Sequence, residues 1–311
     1  MSSLKEIKTR IASVKNTLKI TSAMKMVASA KLHKAQIAIG NKLPYEQKLH
    51  HILAGLLQDD DLQNAMHKLG FGNPHGHSPI VLQDVSVDII PSKENVSRVA
   101  VVVFSSNSSL CGAFNANVIR QFQMLTELLQ RNGYSYSDID VYAVGRKIAD
   151  AARKMGFALK ADLSEIADKP TYEKAFDLAT DLVDSFSDGE VSQVVLLYSH
   201  FASPASQPIV RENYLPLALH DYDDGEDPVD YVLEPDPLTL VHHLLPQVLL
   251  LKIYTVLLDA NAAEHAARTL AMQIASDNAK DLIGELTLAY NKGRQQEITA
   301  EILDLVGGMM S

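Results

Sequence analysis

The chain has 311 residues, of which 47% are apolar, and a formal net charge of −10. This apolar content supports a folded core and excludes a disordered chain, while the single cysteine, Cys111, excludes an internal disulfide bond and favours a reducing compartment. An acidic chain without tryptophan also lacks the basic, aromatic-bearing surface typical of nucleic-acid-binding proteins.

The first fifty residues predict one long basic helix. Apolar residues recur there at alternating spacings of three and four, which is the pattern of a coiled-coil seam; they are Leu4, Ile7, Ile11, Val14 and Leu18. A helix of this length extends beyond any one compact domain, so a second long helix is expected to cover the seam. Lys25 occupies a position where this pattern would place an apolar residue, so we expect the seam to change register there.

The charge of this helix suggests a partner. Residues 1–50 carry a net charge of +8 and residues 51–311 a net charge of −18. One interpretation is an ordinary solvated helix face. The other is a helix that lies beside acidic surfaces of partner proteins, whose complementary charge sets its orientation.

The middle of the chain predicts an α/β domain. Residues 59–96 are rich in glycine and proline and predict an irregular segment, with an edge strand over 80–90. From residue 98 onward, apolar strand patterns alternate with helical ones, which favours a mostly parallel sheet with helices on its faces. The predicted strands are 98–104, 139–144, 158–163, 191–200 and, antiparallel, 208–217; the predicted helices are 113–132, 146–155 and 171–186.

The last segment predicts a second long helix. It follows an acidic loop over 221–237 and runs from 238 to about 305, ending at Gly307 and Gly308. Its predicted apolar ladder is Leu270, Ile274, Ile283, Leu286 and Tyr290, and its alanines between 260 and 271 would let two helices approach closely. The predicted domains are thus 1–58, 59–96, 97–220, 221–237 and 238–311, with the α/β domain inserted between two paired terminal helices.

The sequence offers few catalytic candidates. No phosphate-loop motif occurs, and the glycines of 70–76 have the wrong spacing for a dinucleotide loop. The turn over 105–112 follows the first buried strand, where α/β proteins often bind ligands, and Cys111 stands before a helix, where a thiol can be activated. The alternative is a tight polar connection with a packed thiol. His67, His75 and His77, and the acidic loop 221–227, lack the ligand spacing of metal sites, so no metal is predicted.

Three segments closely resemble one family. They are LKEIKTRIASVKNTLKITSAMKMVASAKLHKAQ over 4–36, SSLCGAFNANV over 108–118 and EHAARTLAMQIASDNAKDLIGELTLAYNKGRQQEITAEILDLVGG over 264–308. In these segments the chain resembles the gamma subunit of F-type ATP synthases. It departs from the family pattern at Asn107, Ser108 and Ser109, where an Asp-Arg-Gly run is usual, and at Ala113, where a second glycine is common.

The resemblance implies an antiparallel coiled coil of the terminal helices with an inserted Rossmann-like α/β domain. It further implies a non-catalytic central rotor, without a cofactor, whose partners are the alpha, beta and epsilon subunits and the c-ring. Catalysis would lie on beta, and the protein would be peripheral at the cytoplasmic face of a bacterial inner membrane. The competing hypothesis is a free-standing α/β enzyme with a coiled-coil oligomerisation arm.

The resemblance also implies residue roles. Coupling and subunit contacts would be made by Lys19, Met24, Lys25, Arg268, Arg294, Gln295, Thr299 and Glu301. A bearing would be formed by Leu303, Leu305 and Val306. As alternatives, Met24 could simply fill the coiled coil and Arg268 could be an ordinary surface cation.

Overall fold

Two long helices dominate the fold. The computed structural model describes residues 4–57, 80–81, 98–218, 234 and 236–309. Helix α1 spans Leu4–Leu57 and continues through Gly40 and Pro44, and helix α6 spans Pro237–Met309. At 1.5 Å per residue these helices are about 80 and 110 Å long.

The two helices run antiparallel. Near the start of α1, a Cβ atom on Gly293 would come within 2.8 Å of Leu4 Cδ2. Further along, Ser276 donates a hydrogen bond of 2.8 Å to Thr21, and near the other end Lys252 Nζ lies 3.8 Å from Glu46 Oε1. Residue numbers rise on one helix as they fall on the other, which confirms the predicted antiparallel coiled coil.

The predicted seam of α1 is confirmed, but the predicted change of register at Lys25 is wrong. The five apolar residues from Leu4 to Leu18 are half-buried between exposed neighbours. The same spacing continues through Thr21, Lys25, Ala28, Leu32 and Ala35, all buried except the half-buried Lys25. A lysine fits this position because its methylene stem can pack while its ammonium group reaches water.

The facing seam of α6 corrects the predicted ladder. Its covered positions repeat with the same alternation of three and four; they are Met272, Ser276, Ala279, Ile283, Leu286, Tyr290 and Gly293. Leu270 and Ile274 are 39% and 52% exposed and lie off the seam. The prediction for these two residues is wrong because it followed apolar residue type instead of the heptad that the small residues Ser276 and Ala279 continue.

The domain between the helices is built on a five-stranded sheet of order β4-β3-β2-β5-β6, in which β6 alone is antiparallel. This confirms the predicted strand–helix alternation. The strands are β2 Val99–Phe104, β3 Ile139–Val144, β4 Leu159–Asp162, β5 Gln193–Ser199 and β6 Ile209–Leu215. The helices are α2 Phe114–Arg131, α3 Arg146–Lys154, α4 Ser164–Asp168 and α5 Tyr172–Ser187, with a 3-10 turn at Tyr136–Asp138.

A small separate sheet lies beside this domain. Strand β1, Ile80–Val81, is the described part of the strand predicted over 80–90, and it pairs in parallel with β7, Leu217–Ala218. The rest of the predicted irregular segment, and the acidic loop over 221–227, lie outside the described residues.

The sheet is covered on both faces. Helices α2 and α3 pack on one face, with Val118, Phe122 and Ile148 in that core. Helix α5, the lower part of α6 and the end of α1 pack on the other, with Leu182 and Leu53 among the residues there. On length and composition alone α6 could cross a membrane, but 59% of its apolar stretch is buried, as in a core helix.

Candidate functional site

Helix α6 crosses the edge of the sheet where the parallel strands end. Asp259 accepts a hydrogen bond of 2.9 Å from the amide of Phe201 and lies 2.7 Å from His200 Nδ1, just after β5. Asn261 donates a bond of 2.8 Å to the carbonyl of Ala167, at the end of α4. These contacts attach the shaft, meaning α1 and α6 together, to the carboxyl edge of the sheet.

The connecting turn after β2, residues 105–113, is held by hydrogen bonds to α3 and α4. Asn107 accepts a bond of 2.9 Å from the amide of Arg146 and donates bonds of 2.7 and 2.8 Å to Ser164 and Asp168. Gly145 allows the start of α3 to approach this turn closely. It has φ +109°, and a Cβ atom there would lie 2.3 Å from the carbonyl oxygen of Ser105. The asparagine that departs from the family pattern is therefore an integral part of the turn.

Cys111 is packed inside this turn. Its side chain is buried, and Asn115 Nδ2 lies 3.1 Å from the sulfur. Its location supports the interpretation as a packed thiol.

Space for a ligand beside the turn is restricted. Beneath α6, the cavity bordered by Ser105, Ser106 and Glu264 has a volume of only about 10 Å³. A groove of about 260 Å³ lies at the start of α2, bordered by Leu270 and Ile274. Among its described lining residues Cys111 alone is titratable, so the groove has neither a cation for an anionic substrate nor a general base.

Arg268 links the shaft to the turn. Its guanidinium donates bonds of 2.6 Å to the carbonyl of Ser109 and 2.9 Å to Ser108 Oγ, and it also pairs with Glu264. Its side chain is only 11% exposed. Arg268 therefore holds the connecting turn against α6. It is too well buried and bonded to be an ordinary surface cation, the alternative considered for it.

Glu264 is the buried acid of this cluster. Its Oε2 lies 3.0 Å from His265 Nδ1, and both side chains are buried in the shaft. Burial by itself raises the pKa of Glu264, but the neighbouring His265 and Arg268 outweigh it and hold the pKa of this carboxyl below its usual range. Glu264 is therefore ionised at neutral pH, and its charge is paired with that of Arg268.

The predicted coupling residues of α1 lie on the shaft surface. Lys19 is exposed, whereas Met24 and Lys25 are half-buried. Met24 therefore contributes to packing and also offers part of its side chain to solvent, so the two roles considered for it are compatible.

The remaining predicted residues lie on a stretch of α6 that none of the other described helices or strands covers. Beyond Gly293, which faces Leu4, residues 294–303 and Leu305 are all exposed. This stretch contains Arg294, Gln295, Thr299 and Glu301, and Leu303 and Leu305 are 64% and 65% exposed. Val306 lies in the helix, outside the described side chains.

The predicted residues thus form two groups. Arg268 is within a few helical turns of Met24 and Lys25, because α1 and α6 are antiparallel and Thr21 faces Ser276. Arg294 is about 40 Å further along α6.

The sequence did not single out Asp259, Asn261 and Glu264, because polar residues within a helical segment are typical of an exposed helix face. Among the described side chains, no three His, Cys, Asp or Glu are grouped to hold a metal ion. The histidines at 67, 75 and 77 lie outside the described ranges.

Comparison with known proteins gives a consistent result. The family model described as ATP synthase matches residues 3–311. The ATP synthase gamma chain of Phocaeicola vulgatus is 50% identical and that of Bacteroides fragilis 49%, each over 100% of both chains. The gamma chain of Flavobacterium johnsoniae is 36% identical over 99% of this chain and 98% of its own.

Solved structures show the same fold. A chain of the Euglena gracilis mitochondrial ATP synthase, in a structure of its OSCP/F1/c-ring, aligns with a TM-score of 0.61 at 19% identity, over 99% of this chain and 93% of that one. A chain of the Tetrahymena thermophila central stalk and c-ring aligns with a TM-score of 0.54 at 21% identity, over 83% and 99%.

The buried acid gives a pH-dependent prediction. Because the folded-state pKa of Glu264 is lowered, its stabilisation is complete above the unfolded-state pKa of about 4.3 and is lost as the pH falls through the folded-state value. Glu264→Gln should lower the free energy of unfolding by about 1–3 kcal/mol at pH 7. That deficit should shrink towards pH 3 in urea unfolding of the purified chain.

The matched control is Glu285→Gln, at an exposed position of the same helix. It should change the free energy of unfolding little at any pH. A Glu264→Gln deficit that is the same at pH 3 and pH 7 would contradict the assigned cluster.

Proposed function

Because the chain belongs to the ATP synthase gamma chain family, we propose that it is the central rotor-stalk subunit of an F1Fo ATP synthase. It transmits torque between the proton-driven c-ring and the catalytic beta subunits. The observation that carries this proposal is the stretch of α6 beyond Gly293, which exposes Ile298, Ile302, Leu303 and Leu305 to solvent. Apolar side chains exposed together indicate a surface made to be covered by other proteins.

The chain itself is non-catalytic in this proposal, and the sites of ATP synthesis lie on beta. The carboxyl edge of the sheet supports this assignment, because α6 is bonded across it at Asp259, Asn261 and Arg268. The place where an α/β enzyme would bind its substrate is used instead to hold the shaft.

The partners follow from the same assignment. The shaft stands within a ring of alpha and beta subunits, and the α/β domain contacts epsilon and the c-ring. Charge supports the contact of the shaft with the ring of alpha and beta subunits. Exposed lysines along α1 would complement acidic surfaces of these partners; they are Lys5, Lys8, Lys15 and Lys19. The protein is then peripheral at the cytoplasmic face of the bacterial inner membrane, held there through the Fo sector.

The two groups of residues take different roles. Lys19, Met24 and Lys25 contact beta directly on one side of the shaft. Arg268 belongs to the same region and acts by holding the connecting turn against α6. Arg294, Gln295, Thr299 and Glu301 contact the alpha and beta loops further along α6, and Leu303, Leu305 and Val306 form the bearing.

Apolar side chains suit a bearing because they make no directional bond that must break at each step. Torque transmission then rests on differential contact. Each orientation of the asymmetric shaft favours one conformation of a beta subunit over the others, and that difference in contact free energy shifts nucleotide affinity.

Co-purification tests the function. An affinity-tagged copy of this chain, expressed in its own cells and extracted in mild detergent, should bring the alpha, beta, epsilon and c subunits with it in a complex that hydrolyses ATP. A tagged chain that purifies as a homo-oligomer with its own catalytic turnover would instead support the enzyme hypothesis.

Substitution of Met24 tests the coupling region. Met24→Lys places a new cation at a half-buried position. In this proposal that position faces an acidic surface of beta. We expect ATP hydrolysis by the complex to persist while ATP-driven proton pumping per ATP falls, by about threefold if the extra ion pair is worth about 0.5–1 kcal/mol.

The control for this variant is Met26→Lys, the same change at a 67% exposed position two residues along the helix and on a different face. It should leave pumping per ATP unchanged. Equal pumping by the Met24→Lys and unsubstituted complexes would contradict the role of Met24.

A further inference from the structure

The outer face of helix α5 is not covered by the other described helices and strands. The inner side of this helix packs on the sheet through Leu178 and Leu182. Tyr172 and Phe176 lie on its outer side, one turn apart, and their residue surfaces are 52% and 51% exposed. Large aromatic side chains that are exposed together are typical of surfaces that bind other proteins.

Helix α6 extends this aromatic area. The ring of Tyr254 lies beside that of Tyr172, with 5.8 Å between the ring centroids and 79° between the ring planes. Tyr254 is half-buried, so part of its ring is accessible from outside. Side chains four residues apart on a helix are neighbours, so Phe176 adjoins Tyr172. These three residues form the aromatic patch.

The exposed face of α5 is acidic on the side away from α6. Four exposed aspartates lie there within an arc of about 60° around the helix axis; they are Asp177, Asp181, Asp184 and Asp188. Three of them border a groove of about 270 Å³ that reaches Lys160 of strand β4. Lys160 itself pairs with Glu190 at 3.1 Å. None of the four aspartates forms an ion pair with another described residue. This row of carboxylates is the acidic side of the face.

The acidic side does not stabilise α5 itself. Asp177 and Asp181 are four residues apart, as are Asp184 and Asp188, and like charges at this spacing destabilise a helix. The second pair also lies at the C-terminal end of α5, where the helix dipole disfavours negative charge. Helices α2 and α3, on the other face of the sheet, carry more basic than acidic residues. The excess of negative charge is therefore local to this face, and it complements cations from outside the described part of the chain.

We propose that the outer face of α5, together with Tyr254, docks a segment of another protein that presents Lys or Arg side chains beside apolar ones. The apolar side chains would cover the aromatic patch, and the cations would pair with the acidic side and stack on the aromatic rings. An amphipathic basic helix has this arrangement, because its apolar and charged side chains follow adjacent stripes. The contact goes beyond the function proposed above, since it is inferred from the surface of α5 and α6 alone.

Photo-cross-linking identifies what covers this face. The affinity-tagged full chain would carry p-benzoylphenylalanine in place of Phe176 or, separately, of Tyr172, and its own cells would be irradiated before purification in mild detergent. Mass spectrometry should find a cross-link to a segment of another protein that contains apolar residues and in which Lys and Arg outnumber Asp and Glu. The same probe in place of Met124, which is 56% exposed on α2, should not reach that segment.

Charge substitution tests the acidic side. Asp177→Lys with Asp181→Lys should lower the yield of the cross-link from position 176 by about tenfold, because attraction to the cations of the partner becomes repulsion. Asp177→Glu with Asp181→Glu retains the charge and should retain most of the yield. The matched control is Glu127→Lys with Asp150→Lys, the same change in net charge at exposed positions of α2 and α3, and it should leave the yield unchanged.

Folding is measured separately on the purified chain. Because Asp177 and Asp181 are exposed, the variant with two lysines should unfold at the same urea concentration as the unsubstituted chain. A lower cross-link yield then reports weaker docking and not a loss of folded protein.

Four results would overturn the docking surface. They are cross-links from both positions to another segment of this same chain, cross-links to a partner segment without an excess of basic residues, no cross-link from either position, and a yield that the two lysines leave unchanged. The cross-linked segment is identified by its composition, whichever protein it belongs to. A chain that failed to co-purify with ATP synthase subunits would therefore overturn the rotor function and leave this result standing.

Discussion

The antiparallel packing of α1 against α6 is the contact on which the other features of the molecule depend. A helix of 54 residues and one of 73 residues cannot each be covered by a single domain, and each presents an apolar stripe that needs a partner. Their pairing covers both stripes and places Leu4, at the start of α1, beside Gly293 of α6. It also fixes where α6 meets the sheet, because the same helix continues from the coiled coil into the core of the α/β domain.

This continuity explains the unusual use of the sheet. In its lower part α6 is a core helix, with Val248, Ile253 and Val256 packed against the strands. Where it leaves the core, it passes over the carboxyl ends of the strands and is bonded there through Asp259, Asn261 and Arg268. The edge at which related architectures bind small molecules becomes a mechanical joint, so that the domain and the shaft can turn as one body.

The sequence was sufficient for most of the fold because its patterns are local. The strand and helix alternation from residue 98, and the seam from Leu4 to Leu18, follow from hydrophobic spacing alone. The register error at Lys25 arose because a charged residue was assumed to leave the seam, whereas continuing the same spacing would have identified Thr21, Ala28 and Leu32. Leu270 and Ile274 were misplaced for the complementary reason: an apolar type does not guarantee a covered position.

The candidate site was less accessible to sequence reasoning. Asp259, Asn261 and Asn107 bond to groups between 39 and 94 residues away along the chain, so no local pattern could reveal them. The coupling and bearing residues came from family resemblance, and the structure adds their exposure and their division into two groups. Arg268 shows the difference most clearly, since its bonds to Ser108 and Ser109 depend on a turn that departs from the family pattern.

A distance measurement between the start of α1 and the part of α6 that faces it tests the paired shaft most directly. Spin labels at Lys5→Cys and Lys292→Cys, both exposed positions beside the Leu4–Gly293 contact, can be measured by pulsed electron paramagnetic resonance. Because packed helix axes lie about 8–10 Å apart, the account predicts one narrow distribution of short distances. A broad distribution centred beyond about 50 Å, on the order of half the length of α6, would show that the helices are not paired and would contradict the account.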